Sequence, residues 1–305
     1  MKTKIYKNEK YKNDIQKSYD ELVKEWNCEV HEFSIQGQYG LTNVLEVGNT
    51  DKMPLILFHG VGDDSALMWI YNAQKLSEHF HVYAVDAIGG PGKSVPGAGY
   101  DKSFEDEKWI DEILDYLKID KAYFAGVSNG GYLVQMYSIK RPEHVIKGIC
   151  MAAAPAVHKD DKGGNGKGGA MKIMMKVFLP EALFPTDKNI KKLISKMTGS
   201  NYGALTENAV VYRHFKQLML GFNRAAMLYH KVYSFTEANL LSVKNKLMFI
   251  EGTKDPFMLL GGEEITRALA EKGSINVTWV DDAGHGLNQE KAEEINEKIV
   301  DYFLD

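Results

Sequence analysis

The sequence predicts an α/β fold with a mainly parallel sheet of eight strands flanked by helices. Two observations predict it. Eight short apolar and β-branched runs recur along the 305 residues, and several are continuous rather than alternating, as strands covered on both faces require. Between them lie stretches with helical spacing, and such strand–helix alternation implies parallel strands joined by crossover helices.

In chain order, "EVHEFSI" and "TNVLEV" come first, joined by "QGQYG". That linker is short enough for a hairpin, so the leading edge of the sheet is expected to be antiparallel. "LILFHG" and "HVYAVD" follow as buried strands. "SFEDEKWIDEILDYLKI" then places Trp109, Ile113, Leu114 and Leu117 on one helical stripe. "AYFAGV" and "IKGICMAA" continue the sheet. After a long interruption come "KLMFIEG" and "NVTWVDD", and "NQEKAEEINEKIVDYFL" closes the chain as a second amphipathic helix.

The interruption spans residues 158–240. It opens with "KDDKGGNGKGG", a flexible linker by composition. Helical stretches follow, rich in Met171, Met174, Met175, Phe178, Met197, Phe215, Met219, Phe222 and Met227. Such residues serve as ordinary helix core, and they also suit a cap over a pocket for apolar ligands. The expected organisation is a core of residues 1–157 and 241–305 with a helical cap at 158–240. Met174, Phe178, Met219 and Phe222 are its candidate pocket residues.

Composition narrows the function classes. Hydrophobic residues make up 44% of the chain and charged residues 26%, which suits a globular protein with a substantial core. A formal net charge of -4 argues against a nucleic-acid partner, which selects a basic face. Cys28 and Cys150 lack metal-like spacing and read as reduced thiols of a cytosolic protein. The opening "MKTKIYKNEKYKND" has no apolar signal core. No stretch approaches the roughly 20 apolar residues of a membrane span. The expectation is a cytoplasmic protein without membrane partners; composition leaves its oligomeric state open.

The chemistry centres on "YFAGVSNGGYLVQMY", which carries Gly126-Val127-Ser128-Asn129-Gly130 between a strand and a helical run. A serine on so sharp a turn takes strained backbone angles, and side chains two residues to either side would meet neighbouring backbone. Its hydroxyl then stands above the sheet at a helix N-terminus, where negative charge is favoured. A serine hydroxyl needs a base, and the base needs an orienting carboxylate. "FIEGTKDPF" offers Asp255 just past one strand, and "VDDAGHGL" offers His285 just past the next. Asp281 and Asp282 are rival carboxylates on the histidine's own loop, poorly placed to brace it, and Glu251 sits at its strand end. "LILFHGVGDD" puts Val61 after another strand. The amides of Val61 and Asn129 can converge on a developing oxyanion, such donors being worth about 3 kcal/mol each. His59 reads as an anchor of that loop.

"AIGGPGKS", residues 87–94, has the look of a phosphate loop. A phosphate loop must run into a helix, and the following "VPGAGY" holds Pro96, Gly97 and Gly99, which prevent one from starting. It reads as a glycine-rich loop beside the active-site mouth.

Taken together, "FHGVGDDSALMW", "YAVDAIGGPGKS", "YFAGVSNGGYLVQMY", "GTKDPF" and "DDAGHG" resemble the α/β-hydrolase superfamily. More closely the chain is similar to bacterial carboxylesterases of the naproxen-esterase type, least so across 158–240. The resemblance implies hydrolysis of small carboxylic esters by a Ser128, Asp255 and His285 triad, with Val61 and Asn129 as oxyanion donors and neither metal nor cofactor. Many relatives carry Asp-x-Arg-Gly-x-Gly after the strand at 81–86; here it is Asp86-Ala87-Ile88-Gly89-Gly90, which weakens transfer from epoxide hydrolases. Carbon–carbon bond hydrolysis, acyl transfer or perhydrolysis, and a ligand-binding receptor on the same scaffold are the alternatives.

Overall fold

The computed structural model describes residues 3–157, 179, 181, 183–258 and 261–305; Met174 and Phe178 lie outside the described residues. Among the described residues nine strands form one sheet: β1 (His31–Gly37), β2 (Gly40–Val47), β3 (Pro54–Phe58), β4 (His81–Val85), β5 (Val95–Pro96), β6 (Ala122–Val127), β7 (Val145–Met151), β8 (Leu247–Gly252) and β9 (Asn276–Val280). Their order is β1-β2-β4-β3-β6-β7-β8-β9, with β5 paired to β2. The β1–β2 hairpin is antiparallel, as is β2 against β4, and every pair from β4 to β9 is parallel. Eight strands are those read from the sequence. The ninth, β5, has only two residues, and its signal lies in its partner Gly40-Leu41 rather than in its own pattern.

Both faces of the sheet are covered, which explains the unbroken apolar runs. Successive residues of β3 alternate sides: Leu55 and Leu57 join one buried cluster, Ile56 and Phe58 the other. The first cluster is capped by α1 (Glu9–Lys24), α2 (Ser65–Met68), α3 (Ala73–Ser77), α11 (Leu287–Glu290) and α12 (Ala292–Leu304). The second lies under α4 (Asp106–Leu117), α5 (Asn129–Lys140), α9 (Glu237–Val243) and α10 (Gly262–Glu271). On α4, Trp109, Ile113 and Leu114 are buried and Leu117 is half-buried. α1 was hidden in the sequence by its lysines and acids, yet Ile15, Ser18, Tyr19 and Leu22 form a buried stripe at helical spacing. Asn8 caps its first turn by accepting from the Tyr11 amide.

The described part of 158–240 lies between β7 and β8 and contains α6 (Asp187–Met197), α7 (Gly203–Thr206), α8 (Ala209–Gly221) and a 3-10 turn at Arg224–Met227. α9 begins within this span and ends beyond it. Thr186 and Asn208 cap α6 and α8. α8 packs on α1, and one fully buried imidazole joins three segments there. His214 Nε2 donates to Asp64 Oδ2 at 2.8 Å, and its Nδ1 meets Ser18 Oγ at 2.7 Å. Burial opposes the charge on Asp64, but His214 and the Leu67 amide outweigh it and hold this carboxyl below its ordinary value.

The glycine-rich loop at 87–94 has no helix after it. It turns inward onto Asp86, whose carboxylate accepts from the Lys93 N–H at 2.8 Å, while Ser94 Oγ–H donates to the Asp86 carbonyl at 2.7 Å. The place a phosphate would take is filled by the chain's own carboxylate.

Candidate active site

Parallel strands deliver their C-terminal ends to one edge of a sheet, so residues just beyond β3, β6, β8 and β9 share that edge although they lie far apart in the chain. Phe58 of β3 is in register with Gly126 of β6. Two residues further on, Gly60 faces Ser128: a β-carbon at Gly60 would stand 3.2 Å from Ser128 Cβ and 3.7 Å from its Oγ.

Ser128 has φ 57° and ψ -117°, the strained geometry expected of a serine on a strand-to-helix turn. The flanking glycines are required by close approach. A side chain at Gly130 would collide with the Phe58 carbonyl, and one at Gly126 with the backbone of Gly130. Asn129 begins α5, so its amide is among those a helix leaves unpaired. Val61 follows Gly60 on a loop held from below by His59. That ring is fully buried, donates from Nδ1 to the Gly60 carbonyl at 2.8 Å and accepts the Ala87 amide on Nε2 at 2.8 Å. The two bonds fix a neutral tautomer and leave no ring nitrogen for chemistry.

His285 and Asp255 meet. His285 Nδ1 donates to Asp255 Oδ2 at 2.8 Å, and the other carboxylate oxygen accepts the Phe257 amide at 2.8 Å. Asp255 is buried, His285 is half-buried, and the Phe257 ring lies 4.3 Å from the imidazole, tilted by 51°. This leaves Nε2 as the nitrogen of His285 without a hydrogen-bond partner among the described residues. Among the described residues no hydrogen bond joins Ser128 Oγ to His285; a serine–base contact of this kind is often long without substrate and tightens in the reacting complex. The rival carboxylates are engaged elsewhere. Asp281 accepts from Thr253 Oγ at 3.2 Å, and Asp282 accepts from the Ser200 amide at 3.2 Å.

Glu251 is fully buried, with one oxygen accepting the Ala153 amide at 3.3 Å and the other without a hydrogen-bond partner among the described residues. Burial, reinforced by the Asp255 charge, pushes its carboxyl well above the ordinary range. A raised carboxyl binds its proton more tightly folded than unfolded. Its stabilising contribution is therefore complete below the ordinary carboxylate range and is lost as pH rises through the raised value. Glu251→Gln keeps the acceptor and removes the ionisation, so its melting temperature is expected to gain on wild type between pH 5 and pH 8. Identical differences at both pH values would contradict this.

The candidate pocket residues divide. Phe222 is buried, with Cδ1 3.9 Å from where a Gly62 β-carbon would stand, so it borders the Gly60–Asp64 loop. Met219 is half-buried against the cluster beneath α1. The sequence reading missed Phe257 beside the imidazole and Glu290, and it took Met197 only for a core or cap side chain, whereas its carbonyl and Glu290 hold the histidine loop. Phe257 follows Asp255 by two residues and was open to inspection; the other two have no local signal.

Comparison with known proteins agrees with this architecture. A family profile described as the alpha/beta hydrolase fold matches residues 53–178. The chain is similar to carboxylesterase YbfK of Bacillus subtilis, 26% identical over 299 residues that span 94% of this chain and 92% of that protein. Among solved structures, the carboxylesterase CesB (YbfK) from Bacillus subtilis superposes with a TM-score of 0.75 at 23% identity, over 96% of this chain and 98% of that one. The naproxen esterase (carboxylesterase NP) from the same organism gives 0.74 at 22% identity, over 94% and 96%. Strand order, serine turn and near full-length likeness agree on the α/β-hydrolase fold, and over nearly its whole length the chain is similar to bacterial carboxylesterases.

Proposed function

We propose that this protein hydrolyses carboxylic esters with apolar acyl or aryl groups through Ser128, His285 and Asp255. The observation that carries the reading is the 2.8 Å bond from His285 Nδ1 to Asp255, which reserves Nε2 for a proton from a serine held on a strained turn. Ser128 Oγ attacks the ester carbonyl as His285 Nε2 takes its proton. The tetrahedral oxyanion rests on the amides of Val61 and Asn129. His285 then protonates the leaving alcohol, and the same base activates water against the acyl-enzyme. The reading needs neither metal nor cofactor.

Residues 158–240 are read as a cap over the acyl or aryl group. Phe222 at the Gly60–Asp64 loop and Phe257 beside the imidazole support apolar recognition. A fluorophosphonate should label Ser128, and kcat/KM for p-nitrophenyl esters should rise from acetate to butyrate. A lower value for butyrate would remove the apolar pocket from the proposal. Turnover of a vinylogous diketone without ester turnover would hand the site to carbon–carbon bond hydrolysis.

A further inference from the structure

The loop that carries His285 is bound to the 158–240 span backbone to backbone. The His285 amide donates to the Met197 carbonyl at the end of α6, at 2.6 Å. The next residues of that span continue the junction. A side chain at Gly284 would run into the Met197 carbonyl, and one at Gly199 into the Asp282 carbonyl, so neither position has space to spare. Ser200 donates its amide to Asp282 Oδ1 and its hydroxyl to the other oxygen.

One side chain closes the junction. Glu290, on α11 and 3% exposed, accepts the Gly199 amide on Oε2 at 2.6 Å and the Gly284 amide on both oxygens, at 3.1 Å on Oε1 and 3.3 Å on Oε2. Its own carbonyl accepts from Asn201 Nδ2 at 2.7 Å. A single carboxylate thus holds one amide from the turn after α6 and one from the residue before the histidine. Among the described residues no hydrogen bond joins the Glu290 side chain to the His285 side chain.

We infer that Glu290 is a positioning residue for His285, clamping the turn after α6 onto the histidine loop so that Nε2 is held toward Ser128. This rests on the esterase reading above. A carboxylate can accept two amides at once; an amide side chain has only one oxygen. Glu290→Gln therefore keeps the shape but leaves one oxygen to serve both amides and turns an NH₂ donor toward the Gly284 amide, which had its shorter bond to Oε1. Small misplacements of a catalytic group cost up to about 100-fold in rate.

The test compares wild type with Glu290→Gln by p-nitrophenyl ester kinetics and by the low-field NMR signal of the His285 Nδ1 proton. Expected are a kcat lower by about 10- to 100-fold, a KM within roughly twofold, since a pure positioning loss acts on the reacting state, and a broadened or missing proton signal in a folded protein. A kcat within twofold of wild type, or an intact proton signal, overturns the inference. If Glu290→Gln does not fold, Ser200→Ala removes the exposed hydroxyl leg of the same junction. A kcat reduced a few-fold at constant KM then supports the clamp, and an unchanged kcat overturns it. Should wild type neither hydrolyse esters nor take a fluorophosphonate, it is the esterase reading that fails; the proton signal still decides whether Glu290 seats the imidazole.

Discussion

Ser128→Ala should leave a folded protein whose kcat for p-nitrophenyl esters is lower by about 10⁵- to 10⁶-fold, the loss seen when a serine nucleophile acting as part of a unit is removed. The argument is geometric. Ser128 stands on the turn after β6 with φ 57°, and it places its hydroxyl facing Gly60 at the strand ends. Alanine shares the β-carbon and the backbone strain and lacks only the oxygen, so folding should be nearly unaffected. The amides of Val61 and Asn129 would remain, and they account for a small residual rate. Steady-state kinetics alongside thermal unfolding separates the two effects. Turnover near that of wild type would sink the proposed nucleophile.

The second large effect is expected at the acid. Asp255→Asn should lower kcat by about 10⁴-fold while the fold persists, the scale found when an orienting carboxylate becomes an amide. The cause can be read from the partners. One carboxylate oxygen of Asp255 accepts the Phe257 amide and the other accepts His285 Nδ1–H. In Asp255→Asn the oxygen stays with the Phe257 amide, and the NH₂ group turns toward the imidazole. Nδ1 must then accept, the ring proton moves to Nε2, and the base is lost. Glu251 cannot substitute, because burial disfavours its charged form and its accepting oxygen is bound to the Ala153 amide. Retention of more than a tenth of wild-type kcat would show that Asp255 does not set the tautomer.

Much of the scaffold was legible from the chain alone because its signals are local. The strands covered on both faces announce themselves as unbroken apolar runs, and Gly126 and Gly130 mark the turn because nothing larger fits against the Phe58 carbonyl and the turn's own backbone. Asp255 and His285 were legible for a related reason: each lies a few residues beyond a strand end. The rejected phosphate loop was equally readable, since Pro96 and two glycines forbid the helix it needs. α1 was missed because charged residues crowd a stripe formed by only a few buried ones. β5 was missed because two residues carry no periodicity.

The sequence by itself determined the order of the elements, the serine turn and the chemistry available at the strand ends, because hydrophobic period and glycine sterics act over a few residues. Tertiary structure alone decided how His214 ties α1 and α8 to Asp64, and that Glu290 joins the turn after α6 to the histidine loop. Those choices depend on which hydrogen-bonding groups meet once separate segments are packed, and no local pattern records the meeting.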